Sequence, residues 1–209
     1  MTSESGRSAG WSEPTVARAP VARRPRTQYH QGQVASWHPT LIDRAADLAV
    51  AMMPIPLRVL DVGCGDGRLL GELILRVPHA DLYVGVDPVP GVISAAERAA
   101  EPRLCLVRAA AEALPFPDVS FDLVVATMSM AFWIDQRAGV AELARILTDN
   151  GRVIIVESTK GQARGMRRAR GVKQITELLA SVDLHVEDTD VLRRSVLLRP
   201  LARAFICSL

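Results

Sequence analysis

The chain has 209 residues, of which 49% are apolar, and its net charge at pH 7 is +2. This length and composition allow one domain with a substantial core and leave no room for a second full domain. Five of the 25 basic residues lie within residues 1–28, against two acids. The rest of the chain is therefore near neutral and lacks the basic excess of a general nucleic-acid binder.

The N-terminal stretch 1–28 is rich in Ser, Ala, Pro and Arg and shows no apolar periodicity. This composition predicts a disordered basic tail, followed by a single domain over residues 29–209. The sequence contains neither a secretory apolar segment nor an apolar run of membrane-spanning length. We therefore expect a cytoplasmic protein without a membrane span.

From residue 39 onward, helix and strand patterns alternate, which is typical of a mostly parallel sheet with helices on both faces. The predicted fold class is α/β. The predicted helices are 39–51, 68–75, 90–100, 137–147 and 172–181, and the fourth is expected to stop at the Asn150-Gly151 pair. The predicted strands are 57–62, 82–87, 104–108, 121–127, 152–158, 184–190 and 202–207.

The cysteines and histidines give no sign of a metal site. Cys64, Cys105 and Cys207 are far apart and fall in predicted strands or in a glycine-rich turn. We interpret them as small buried hydrophobic residues. The four histidines show no ligand spacing with one another or with cysteine. We predict no metal ion.

A glycine-rich turn over residues 63–67 (GCGDG) follows the first strand and precedes an amphipathic helix. Glycine at every second position lets the backbone approach a ligand where any Cβ would collide. In open α/β sheets, nucleotide-like cofactors bind at the carboxyl ends of the strands. Dinucleotide-binding folds have a third glycine at the position where this chain has Arg68, and this difference disfavours NAD(P) as the cofactor.

Two acidic residues accompany this turn. Asp61 lies just before the first glycine, where a negative charge repels a pyrophosphate but attracts an ammonium group. Asp87 ends a predicted strand 20 residues beyond Gly67, where a carboxylate can accept hydrogen bonds from both ribose hydroxyls. The alternative for Asp87 is an exposed acid that caps the next helix.

Five motifs follow one another along about half of the chain, residues 57–158. They are VLDVGCGDG at 59–67, VD at 86–87, AEALPF at 111–116, SFDLVV at 120–125, and ELARIL at 142–147 with GRVI at 151–154. In this order they resemble the class I S-adenosylmethionine-dependent methyltransferases, and within that class the ubiquinone/menaquinone-biosynthesis-like (methyltransferase type 11) subfamily. The resemblance implies a Rossmann-like sheet of seven strands, mostly parallel, whose last strand is antiparallel.

The resemblance also implies S-adenosylmethionine as the cofactor. It implies that Asp61 faces the amino group, that Asp87 binds the ribose and that Pro88 lies against the adenine. Met128 would line the methionine side after the fourth strand. The implied cofactor-binding positions are Asp61, Gly63, Cys64, Gly65, Asp87, Pro88, Ala111, Glu112 and Met128.

One position departs from the family pattern. Family members commonly have Gly-Asp-Ala-Glu where this chain reads AAAE at 109–112, and their aspartate accepts a hydrogen bond from the adenine amino group. Ala110 accepts none, and losing one such bond costs about 0.5–1.5 kcal/mol, up to about tenfold in affinity. Two alternatives therefore stay open: a catalytically weakened methyltransferase-fold protein with a binding or regulatory role, and, less favoured, an NAD(P)-dependent reductase.

The acceptor site is expected to form from the segment before the first helix, the loop after the fourth strand and the insert 159–173. Tyr29, Phe132 and Trp133 are the candidate acceptor-binding residues, and the latter two also suit packing onto the next helix. His30 and His38 are candidate bases for a hydroxyl acceptor.

Methyl transfer needs no catalytic base where both reactants are held in line, so the catalytic residues stay unassigned. The six basic residues of the insert 159–173 are more typical of a solvated face than of a nucleic-acid site. We therefore expect an enzyme that transfers a methyl group to an O, N or C atom of a small organic acceptor.

Overall fold

The computed structural model describes residues 38–52, 58–89, 101–158, 171–192 and 202–209. The helices in these ranges are α1 (His38–Ala51), α2 (Arg68–Arg76), α3 (Gln136–Ile146) and α4 (Val172–Ala180), with a 3₁₀ turn at Met130–Phe132. The strands are β1 (Arg58–Val62), β2 (Leu82–Val86), β3 (Leu104–Val107), β4 (Phe121–Thr127), β5 (Leu147–Ser158), β6 (His185–Leu192) and β7 (Ala202–Ser208). The predicted tail 1–28 and the predicted helix 90–100 lie outside the described residues.

The described strands form one sheet in the order β3-β2-β1-β4-β5-β7-β6. Neighbours from β3 through β5 are parallel, whereas β7 is antiparallel to both β5 and β6. The predicted seven-stranded, mostly parallel sheet with an antiparallel last strand is thus confirmed. The strand order reverses between β1 and β4, and at such a point the carboxyl ends of the strands bound a crevice.

Both faces of the sheet are buried, as expected for parallel strands covered by helices. Along β5, Val153 and Ile155 pack with α3 and α4, while Ile154 and Val156 pack with α1 and α2. Side chains that alternate between two cores keep β5 rigid up to its carboxyl end. The crevice is therefore built on fixed strand ends.

The predicted stop of the fourth helix at the Asn150-Gly151 pair was wrong, and so was the predicted start of the fifth strand at residue 152. The helix α3 ends at Ile146 and β5 begins at Leu147, so the Asn150-Gly151 pair lies inside the strand. Phe121 pairs with Leu147 but Leu123 pairs with Arg152, which makes the first residues of β5 a bulge. Sequence favoured a turn because Asn-Gly is typical of one, whereas here pairing with β4 overrides that local preference.

Candidate functional site

The turn after β1 is built by glycines at left-handed φ angles: 79° at Gly63, 55° at Gly65 and 76° at Gly67. The N–H groups of Gly63 and Cys64 donate to the Val86 carbonyl at 2.7 and 3.0 Å, which fastens the turn to the end of β2. A Cβ at Gly63 would overlap Ser129, whereas one at Gly65 would meet no described atom within 4 Å. Gly63 thus permits close packing, and Gly65 leaves its space open for a ligand.

Asp87 joins the end of β2 to this turn. Its side chain is 5% exposed, and its two carboxylate oxygens accept hydrogen bonds from Gly65 N–H at 3.1 Å and Val89 N–H at 2.9 Å. Burial raises its pKa, and these two donors act in the opposite direction. A carboxylate has about four acceptor positions, so two remain for hydroxyl donors of a ligand.

Asp61 is the second acid at the turn and is 2% exposed. Burial raises its pKa to about 7, and the negative charge of Asp87 adds to the effect. Within the described ranges, no group donates a hydrogen bond to its carboxylate. Since a buried charge without a partner is costly, this carboxylate suits a cationic or hydrogen-bond-donating ligand.

The remaining positions around the turn contribute in different ways. The Cys64 side chain is buried beside Gly85 and Leu70, and burial raises the pKa of its thiol. Only its backbone therefore faces the crevice. Pro88 is exposed, and its carbonyl accepts a hydrogen bond from Arg108 Nε at 3.3 Å.

The segment after β3 is held by side chains rather than by regular structure. Ala111 is buried, and the Glu112 carboxylate accepts hydrogen bonds from the N–H groups of Ile134 and Asp135 at the start of α3. The Glu142 carboxylate accepts from Leu114 N–H at 2.8 Å, and Arg145 donates to the Leu114 carbonyl at 3.1 Å. The AEALPF and ELARIL motifs therefore bind each other through these hydrogen bonds.

The residues after β4, which we name the post-β4 segment (residues 128–133), lie directly against the glycine turn. Met128 has an unusual positive φ of 54°, a strained conformation of the kind that clusters at functional sites. Ser129 Oγ donates to the Val62 carbonyl at 2.7 Å. Phe132 is 36% exposed, whereas Trp133 is 6% exposed and its ring covers Gly139 of α3.

Sequence reasoning missed Glu157, and it placed Ser129 in the loop after the fourth strand without giving it a role of its own. Glu157 is 6% exposed at the end of β5, and its Oε1 accepts a hydrogen bond from Met130 N–H at 2.9 Å. Burial raises its pKa to about 7. The missed signal is an acid at the end of a buried strand, the same pattern that singled out Asp61 and Asp87.

The candidates nearest the N-terminus are not placed at the site. Tyr29, His30 and residues 159–170 of the insert lie outside the described residues, and of His38 the backbone alone is described, at the first position of α1. Among the described residues there is no group of three or more His, Cys, Asp or Glu side chains suited to a metal ion. Within the same ranges, no helix has the length and apolar character needed to cross a membrane.

The comparison with known sequences agrees with this geometry. Residues 60–155 match a family model described as a methyltransferase domain. Demethylmenaquinone methyltransferase of Thermus thermophilus is 39% identical over 117 residues, which cover 54% of this chain and 52% of that protein. The C-methyltransferase UbiE of ubiquinone/menaquinone biosynthesis in Geobacter sulfurreducens is 33% identical over 116 residues, covering 53% and 45%. The chain thus spans about half the length of the curated relatives it matches.

Solved structures with a similar fold are also methyltransferases. A methyltransferase from Aquifex aeolicus superposes with a TM-score of 0.69 at 13% identity and covers 85% of this chain and 97% of that one. A 1,6-didemethyltoxoflavin N1-methyltransferase from Burkholderia thailandensis, solved with S-adenosylhomocysteine, gives 0.68 at 19% identity, covering 86% and 82%. These structures agree with the observed fold. The sequence matches confirm the resemblance to class I S-adenosylmethionine-dependent methyltransferases, and the matched relatives include methyltransferases named for menaquinone and ubiquinone biosynthesis.

Proposed function

We propose that this chain is an S-adenosylmethionine-dependent methyltransferase that acts on a small organic acceptor. The observation that carries the proposal is the open space at Gly65, flanked by the buried carboxylates of Asp61 and Asp87. A nucleoside that bears an ammonium group fits both: its ribose hydroxyls meet Asp87 and its cation meets Asp61. A diphosphate fits poorly, because two acids line the turn.

The residues would divide the work of holding the cofactor as follows. The backbone of Gly63, Cys64 and Gly65 lies under the methionine portion, and Met128 borders it from β4. Pro88 and Ala111 border the adenine. Glu112 contributes through its hydrogen bonds to Ile134 and Asp135, which keep the segment after β3 against the start of α3.

The bound sulfonium supplies a methyl group that is already electrophilic. What the chain must add is alignment of the acceptor and exclusion of water, and alignment alone can supply roughly 7–11 kcal/mol. Phe132 and Trp133 are proposed for the acceptor side together with Tyr29, and His30 or His38 as a base for a hydroxyl acceptor. A cytoplasmic location, and an acceptor that is not a nucleic acid, belong to the same proposal.

The names of the similar proteins suggest the acceptor class. Two of the names give the acceptor, demethylmenaquinone and 1,6-didemethyltoxoflavin, and the third names a C-methyltransferase of ubiquinone/menaquinone biosynthesis. A flat organic molecule methylated at O, N or C agrees with the exposed ring of Phe132.

Isothermal titration calorimetry with S-adenosylmethionine, S-adenosylhomocysteine and NAD tests the proposal. We expect micromolar binding of the first two and none of NAD. Asp87→Ala should abolish measurable binding, because it removes the ribose acceptor and the partner of Gly65 N–H. Asp81→Asn, an exposed acid before the opposite end of β2, is the charge-matched control and should bind normally. Unchanged affinity in Asp87→Ala would remove this residue from the site.

A second candidate is a methyltransferase-fold protein without turnover, and Ala110 is the observation that favours it. A screen of cell extract with isotopically labelled methyl donor separates the two. Transfer of label to an extract component supports the enzyme. Binding of the cofactor without any transfer supports the binding protein.

A further inference from the structure

Glu157 supplies the hydrogen-bond acceptor that begins the 3₁₀ turn Met130–Phe132. The Met130 N–H donates to Oε1 over 2.9 Å, and the N–H groups of Ala131 and Ser158 also donate to the carboxylate. The first N–H groups of a helical turn lack partners within it. Ser129, which precedes the turn, makes no side-chain cap, so Glu157 performs that function from another strand.

The same turn is continuous with the floor of the glycine turn. Ser129 directly precedes Met130, its Oγ donates to the Val62 carbonyl at 2.7 Å, and its Cβ occupies the place that a side chain at Gly63 would take. Whatever fixes Met130 therefore also fixes Ser129 beneath Gly63. The contacts run without a gap from β5 to the proposed cofactor site.

We propose that Glu157 is a positioning residue for methyl transfer, whose carboxylate holds the post-β4 segment in the conformation that supports the glycine turn. The role of Glu157 in methyl transfer rests on the proposed function. The contacts between Glu157, the 3₁₀ turn and Ser129 are independent of that function. The experiments below can therefore contradict the role and the contacts separately.

The surroundings of Glu157 make this contact sensitive to pH. A cavity of about 100 Å³ beside it is also lined by Arg203 of β7 and by the first turn of α4. Arg203 pairs with Glu157 in strand register, but its Nη1 donates to Thr189 Oγ1 at 3.0 Å. On α4, Lys173 is exposed and pairs with Glu177. Burial raises the pKa of Glu157 to about 7. The carboxylate therefore becomes protonated as the pH falls through neutrality, and its hydrogen bonds to the turn weaken.

Three variants test the proposal by their affinity for S-adenosylhomocysteine at pH 8. Glu157→Leu keeps the volume but leaves the turn donors unpaired, and we expect at least tenfold weaker binding. Glu157→Gln retains an acceptor oxygen and should lose no more than about threefold. Tyr83→Phe is the control. It removes a buried hydroxyl that donates to the Val77 carbonyl near the start of β2, away from the glycine turn, and this variant should bind within twofold of the original chain.

A spectroscopic measurement tests the same contact without any ligand. The backbone N–H of Trp133 donates to the Met130 carbonyl at 3.2 Å. Trp133 is therefore attached to the end of the 3₁₀ turn, and its ring reports on the position of that turn. In protein labelled with 5-fluorotryptophan, the ¹⁹F resonance that Trp133→Phe removes should shift with a midpoint near pH 7. The shift should vanish in Glu157→Gln.

The outcomes decide between the two statements. If the original chain does not bind S-adenosylhomocysteine, the proposed function fails and the ¹⁹F titration alone judges the Glu157 contact. A Trp133 resonance that titrates equally in Glu157→Gln overturns the proposal, and so does normal affinity in Glu157→Leu. Should Glu157→Leu not fold, Glu157→Gln and the ¹⁹F titration still give the answer.

Discussion

Three buried carboxylates, each at or just beyond the end of a parallel strand, define the chemistry of the crevice. Acids are rarely buried unless they are paired, and these three differ in their partners. Asp87 and Glu157 accept backbone N–H groups, whereas no described group donates to Asp61. Asp61 therefore has the most to gain from a ligand that carries positive charge.

Binding of S-adenosylhomocysteine should release protons near pH 7 if its ammonium group meets Asp61. Because the pKa of Asp61 is raised to about 7 in the free chain, roughly half of the molecules carry a proton there at that pH. A nearby cation lowers the pKa and expels this proton. Calorimetry in buffers of different ionisation enthalpy at pH 7 should give a release of up to about 0.5 protons per ligand.

The control ligand is methylthioadenosine, which keeps the adenine and ribose but lacks the amino acid portion. It should bind without proton release. Asp61→Asn should lower the affinity for S-adenosylhomocysteine and abolish the release. Equal release by both ligands would show that the proton comes from another group.

The glycine turn and the post-β4 segment act as one supporting unit, although they belong to different strands. A side chain at position 63 would collide with Ser129, whereas a side chain at position 65 would meet no described atom within 4 Å. Substitution at the two glycines should therefore have different consequences for stability and binding.

Gly65→Ala should weaken cofactor binding at least tenfold with a loss of stability of about 1–2 kcal/mol, the cost of an L residue at a left-handed φ. Gly63→Ala should destabilise the fold by more, because a Cβ there also displaces Ser129. Thermal unfolding and calorimetry measure the two effects. Gly71→Ala, in α2 and free of contacts within 4 Å among the described residues, is the control and should stabilise by about 0.5–1 kcal/mol. Equal losses of stability in Gly63→Ala and Gly65→Ala would refute the distinction.

The sequence predicted the site residues that can be recognised from their position at the end of their own strand. β4 has the predicted bounds 121–127, because alternating cores leave a continuous apolar run between turn residues. Asp61 and Asp87 could be found because each follows such a run. The position of an acid relative to its own strand is local information, so it can be read directly.

The rest of the site depends on contacts between distant residues. Ser129 meets Val62 across 67 positions, and Glu157 meets Met130 across 27. Sequence pattern also left open whether Trp133 faces the crevice or the next helix. Its burial against Gly139 depends on how α3 packs against the 3₁₀ turn, which no local preference specifies.

The sheet order brings these strand ends to one edge of the molecule. β1, β4 and β5 are adjacent and parallel, so Asp61 and Glu157 both lie at their carboxyl ends, on rigid strands with buried faces. Packing that fixes the site in this way also keeps water from the two acids. Their burial therefore links the proposed function to the stability of the whole fold.

The free energy of unfolding without ligand should fall as the pH rises from 5.5 to 8.5. The pKa values of Asp61 and Glu157 are raised to about 7 in the folded chain from 3.8 and 4.5, so the folded state binds these protons more tightly. This stabilisation is fully present below the unfolded pKa values and is lost as the pH rises from them through the folded pKa values. Each acid should contribute about 2 kcal/mol to the difference.

Urea unfolding at the two pH values measures this difference, and the double variant Asp61→Asn with Glu157→Gln should remove most of it. At pH 8.5 the double variant should be more stable than the original chain, because neither buried position then carries a charge. Its weaker cofactor binding would show that these acids are kept for the site at the expense of stability. An original chain that is equally stable at both pH values would mean that water or another group already neutralises the two carboxylates.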